Sequence, residues 1–138
     1  MTRMTAPTRR YAIRITVTMT VYVVSLLAAT YLIERAGVAG PLAWGLALLP
    51  GLAIAGMFYS VGMLMLEQKD EFIRMLLVRQ SLIATAFAMS VVVTWGFLEG
   101  FELVGHHPGY YIVLLWAFGL LLGAISNRIT YGSWGSCW

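Results

Sequence analysis

The chain has 138 residues, of which 60% are hydrophobic and only 11% charged, where a soluble domain carries about 25% charge. Its formal charge of +3 does not mark a nucleic-acid binder, because lysine and arginine stand at the ends of apolar runs and form no basic patch. The single cysteine, Cys137, excludes an intramolecular disulfide and a Cys-x-x-Cys pair, and with them the small quinone-linked thiol oxidoreductases.

Residues 1–10 are polar and rich in Thr and Arg, and Pro7 discourages an early helix, so this segment is expected to be mobile. A first membrane helix is expected over 11–33. Its apolar run from Ile15 to Ile33 exceeds the roughly 7–15 residues of a signal-peptide core, and Glu34-Arg35 follows at once, which predicts a retained helix. Gly37 to Gly40 form a turn, and Pro41 suits the first position of a second helix over 41–66, with Pro50-Gly51 expected to kink it. Asp70 or Glu71 is placed to cap a third helix over 72–98. Its length predicts that the first two turns project beyond the bilayer. Pro108-Gly109 precedes a fourth helix over 110–127, and 129–138 form a Gly/Ser/Trp-rich tail. The pattern is that of an all-α integral membrane protein, a four-transmembrane-helix bundle with one membrane domain over 11–128.

Orientation follows from the basic residues. The chain has nine Lys and Arg, and of these only Arg35 falls in a loop on the far side. Arg3, Arg9, Arg10, Arg14, Lys69, Arg74, Arg79 and Arg128 all fall on the other, which predicts an N-in/C-in topology with both termini cytoplasmic.

Helices in lipid associate through small residues rather than through the hydrophobic effect. Ala43, Ala47, Gly51 and Ala55 repeat every fourth residue on helix two, and Gly119 and Gly123 form a Gly-x-x-x-Gly pair on helix four. Ala84 with Ala88 and Ser25 with Ala29 supply smaller versions. These positions serve either packing within the bundle or a homodimer. Tyr11, Trp44, Trp95, Tyr110, Tyr111 and Tyr131 lie where aromatic anchors belong.

No ionisable residue falls deep inside a predicted span, since Glu34, Glu67 and Glu99 all stand at helix ends. This argues against a proton-coupled exporter of the small four-helix multidrug type. Glu99, Glu102, His106 and His107 have metal-ligand chemistry, but Gly100, Gly105 and Pro108-Gly109 make the segment a turn. No catalytic set, metal or cofactor is expected. The segment Glu67-Gln68-Lys69-Asp70-Glu71-Phe72-Ile73-Arg74, with Arg79 beyond it, concentrates charge at the start of helix three. If helical throughout, it would place Glu67, Asp70, Glu71 and Arg74 on one face, a docking surface for a partner.

That segment, together with Met75-Leu76-Leu77-Val78-Arg79-Gln80 and Trp95-Gly96-Phe97-Leu98-Glu99, resembles small four-helix inner-membrane proteins of alphaproteobacteria. The resemblance covers roughly residues 10–128. It implies residence in the bacterial inner membrane beside a very small helix-turn-helix regulator of the Xre/Cro type, held at the membrane away from its DNA. Glu67, Lys69, Asp70, Glu71, Arg74 and Arg79 are the implied partner-binding residues. On this reading the protein is not an enzyme and does not itself bind nucleic acid. A small transporter or channel using Thr16, Thr18, Thr20, Ser25 and Thr30, or an accessory subunit of a larger membrane complex, are the other readings.

Overall fold

The computed structural model describes residues 6–135, which form helices, the turns between them and a short segment after the last helix. Helix α1 covers Ala6–Thr30 and closes in a π-helical turn, Tyr31–Arg35. Helices α2, α3 and α4 cover Pro41–Glu67, Glu71–Gly100 and Tyr111–Tyr131. The first helix with its π-turn spans 30 residues, and α2, α3 and α4 span 27, 30 and 21. At about 1.5 Å per residue even the shortest matches a hydrocarbon layer of about 30 Å.

Several boundaries differ from expectation. Residues 6–10 are already helical, because Pro7 stands in the first turn, where a backbone N–H has no helical acceptor to lose. The tail's last residues, 136–138 with Cys137, and residues 1–5 lie outside the described residues. Helix α4 continues to Tyr131 and stops at Gly132, whose φ of +70° is left-handed. The Gly132 N–H bonds the Arg128 carbonyl at 3.0 Å, a glycine helix stop. Gly40, at φ +78° and ψ −151°, occupies backbone space that only glycine enters freely and delivers Pro41 to the start of α2. Helix α2 runs unbroken through Pro50.

The helices pair as two compact hairpins, residues 6–68 and 69–135. Their surfaces are apolar. Val24, Leu27, Leu52 and Leu82 are 60%, 65%, 66% and 66% exposed. Hiding each from water would yield about 1.5–3 kcal/mol, an incentive that disappears when the surroundings are hydrocarbon.

In the first hairpin, Ser25 and Ala29 of α1 are buried, as are Ala53, Met57, Ser60 and Leu64 of α2. A Cβ on Gly56 would lie 3.0 Å from Thr18 Cγ2, so α1 and α2 touch closely there. The expected packing stripe is not the one this hairpin uses. Ala47, Gly51 and Ala55 are exposed and Ala43 is half-buried. Residues 51 and 53 differ by about 200° around a helix, so a face centred on Ala53 and Met57 turns the small-residue stripe away from α1.

In the second hairpin the expected small residues do meet. Leu76, Ala84 and Ala88 of α3 are buried, as are Trp116, Gly119, Gly123 and Asn127 of α4. A Cβ on Gly119 would fall 2.6 Å from Ala84 Cα, and one on Gly123 would fall 2.8 Å from the Gln80 carbonyl oxygen. No side chain larger than hydrogen fits at either position without moving a backbone.

Candidate functional site

The charged segment between α2 and α3 is not one continuous face. Residues 68–70 are not helical, so the register linking Glu67 to Glu71 is broken. Glu67 belongs to the first hairpin, where its Oε1 accepts from Arg14 Nη2 at 2.8 Å. The two side chains retain 17% and 32% exposure. Glu67 Oε2 and Arg14 Nη1 are enclosed and find no partner among the described residues. A half-enclosed pair of this kind joins the start of α1 to the end of α2, with the Glu67 carboxylate turned to Arg14. Gln68 is buried as well.

The rest of the segment belongs to the second hairpin. Asp70 is the N-cap of α3, its Oδ1 accepting from the Phe72 and Ile73 amides at 2.9 and 3.1 Å. This satisfies two of the amides that a helix start leaves open. Glu71 follows in the first turn, where a carboxylate is favoured by the helix dipole. Lys69, Glu71 and Arg74 are exposed, with Phe72 and Met75 exposed among them. Glu71, Arg74, Met75, Val78, Arg79 and Leu82 share a shallow groove along α3.

Arg79 faces inward. Its guanidinium donates to Asn127 Oδ1 at 3.0 Å, Ser126 Oγ at 3.1 Å and Thr130 Oγ1 at 3.4 Å. It also lies 5.2 Å from the centre of the Tyr131 ring. Asn127 in turn donates to the Leu76 carbonyl at 3.0 Å, and Gln80 donates to the Leu120 carbonyl at 3.0 Å. Further along the same seam the Trp116 indole N–H donates to Thr85 Oγ1 at 3.1 Å. Sequence reasoning missed Gln80, Ser126, Asn127 and Thr130. The available signal was spacing, since Gly119, Gly123 and Asn127 repeat every fourth residue opposite Ala84, Gln80 and Leu76.

At its loop end the same hairpin carries a recess of about 440 Å³, lined chiefly by Val91, Val92, Trp95, Glu99, Tyr111 and Leu115. His106 Nδ1 contacts Glu99 Oε1, and the His107 ring meets Trp95 edge-on at 4.6 Å. Glu102 takes a left-handed φ of +59°, which lets the loop reverse directly after α3. The Trp95 Nε1 is enclosed without an acceptor among the described residues. No group of three or more His, Cys, Asp or Glu able to hold a metal occurs among the described residues.

Of the residues suggested for a polar path, four are turned to their own helix. Thr16, Thr18 and Thr20 donate to the carbonyls of Ala12, Arg14 and Thr16 at 2.7, 3.0 and 2.8 Å, and Ser25 donates to Tyr22 at 3.0 Å.

The class these features define is an all-helical protein with four helices suited to crossing a membrane, as in a multi-pass membrane protein. Compared with known families, curated proteins and solved structures, the chain matches none.

Proposed function

We propose that the chain is a non-enzymatic protein of the bacterial inner membrane, with both termini cytoplasmic, that holds a small cytoplasmic helix-turn-helix regulator at the start of α3. The observation that carries the reading is the build of that helix start. Asp70 is spent on capping, so the helix begins rigidly, while Lys69, Glu71 and Arg74 remain exposed around Phe72 and Met75. A fixed surface with alternating charge and an apolar centre suits an amphipathic helix of a partner. Arg79 borders the α3 groove while its guanidinium is held by α4, and Glu67 is paired with Arg14 within the first hairpin. Asp70 shapes the surface without offering a free carboxylate.

The topology rests on Arg9, Arg10, Arg14, Lys69, Arg74, Arg79 and Arg128, which gather at the termini and at the α2–α3 junction. The open stripe of Ala43, Ala47, Gly51 and Ala55 supports a second helix–helix contact, which we assign to a homodimer. The test is co-purification of the tagged chain from native membranes, with and without the combined substitutions Lys69→Glu, Glu71→Lys and Arg74→Glu. A small DNA-binding protein is expected with the parent chain and lost with the variant, at unchanged melting temperature. Recovery of that protein with the variant would sink this surface as the docking site.

A further inference from the structure

We propose that the recess at the loop end of the second hairpin binds a free hydrophobic organic cation, of the quaternary ammonium or phosphonium type, with Glu99 as its counter-charge. This site is separate from the docking surface and does not depend on it.

The recess has a structural origin. Gly119 and Gly123 bring α4 onto the backbone of α3 at Ala84 and Gln80. Beyond Trp116, α4 offers Leu115, Ile112 and Tyr111 instead, with Val91, Val92 and Trp95 of α3. Large side chains stand in place of the glycines, and they wall a space of about 440 Å³. That volume falls in the range of roughly 300–1,000 Å³ usual for small-molecule sites.

The lining selects the ligand. Its aliphatic part is Val91, Val92, Ile112, Leu114 and Leu115, and its aromatic part is Trp95 and Tyr111. Glu99 is the one carboxylate in the wall, two-thirds enclosed, and neither Lys nor Arg lines the space. A carboxylate flanked by electron-rich ring faces favours a cation. The apolar walls favour one that carries its own hydrocarbon and sheds little bound water on entry, which a primary ammonium does not. His106 is the group already on Glu99 and His107 shares the wall, so an incoming cation displaces the His106 contact at the rim. Both imidazoles stand on the 101–110 loop and can turn toward solvent, His106 being 79% exposed.

The experiment is equilibrium dialysis of the detergent-solubilised full chain against tetraphenylphosphonium, with neutral triphenylphosphine oxide as the comparison. Saturable binding is expected, with the cation preferred by about tenfold or more over the neutral compound. Glu99→Gln should remove that preference, His106→Ala should preserve or strengthen it, and Val92→Trp should block both ligands by filling the space. Melting temperatures identify variants that have lost the hairpin, and Val92→Trp and Glu99→Gln probe the recess from different sides. Undetectable or unsaturable binding, equal affinity for the neutral compound, or cation binding unchanged by either variant would overturn the assignment.

Discussion

Asn127 has no exposed surface, yet both ends of its amide are engaged, donating to Leu76 and accepting from Arg79. Truncating it removes a second bond from a helix carbonyl, opens a gap at a fully buried position and leaves a guanidinium short of one acceptor, a cost of about 1–3 kcal/mol. Asn127→Ala should therefore lower the melting temperature of the detergent-solubilised chain clearly. Ser126→Ala should be milder, because Arg79 retains Asn127 and Thr130. Trp95→Phe should be close to neutral, since the indole N–H it deletes has no acceptor to lose. A thermal melt of the three variants side by side checks the order. Local spacing narrowed the cap to Asp70 or Glu71, of which Asp70 fills it, because a cap and its amides lie within three residues of one another. It could not show that Arg79 turns inward or that Glu67 is taken by Arg14, because those partners lie 48 and 53 positions away.

At the scale of helices, the two hairpins use small residues differently. Gly119 and Gly123 face backbone at distances no Cβ can occupy, whereas a Cβ on Gly51 would meet nothing within 4 Å. Gly123→Ala should destabilise the second hairpin by about 1–3 kcal/mol through overpacking, and Gly119→Ala at least as much. Gly51→Ala should leave the first hairpin intact, and it gains slightly from the better helix propensity of alanine. Gly51→Leu is the sharper probe, expected to weaken cross-linking between copies while leaving helicity by circular dichroism unchanged. A four-residue repeat shows that small side chains share a face, but not what that face meets. Helix α4 carries its Gly119 and Gly123 on the buried side, and α2 carries its repeat of Ala47, Gly51 and Ala55 on the opposite one. The choice depends on Ala53, Met57, Ser60 and Leu64, which fit α1 in a register that no single-helix pattern displays. The early start of α1 and the late stop of α4 escaped notice for a simpler reason. Proline is tolerated in a first turn, and the Gly132 stop lies past the polar residues Ser126, Asn127 and Arg128 that interrupt the apolar run.

For the whole molecule, the long apolar stretches revealed four helices of membrane-crossing length, because few patterns other than spans sustain 60% apolar content with so little charge. The positive-inside bias carries a testable topology. In a Cys137→Ser background, Lys69→Cys should react with a membrane-impermeant thiol reagent only after spheroplasts are lysed, and Glu102→Cys should react before lysis. The reverse pattern would invert the orientation. Both positions are exposed, so reactivity reports sidedness rather than burial.

The ion pair between Arg14 and Glu67 has a consequence for how the chain is made. Arg14 stands nine residues into α1, and its counter-ion is the last residue of α2. While the ribosome has produced only the first helix, that guanidinium has headgroups and water beside it, as suits a basic residue at the end of a span. The arrival of Glu67 gives it a carboxylate and holds the end of α2 against α1 in one register. Glu67→Gln should leave insertion unchanged by carbonate extraction while lowering the melting temperature of the solubilised chain modestly. In that sense the clamp is a late lock, closed only once the hairpin is complete.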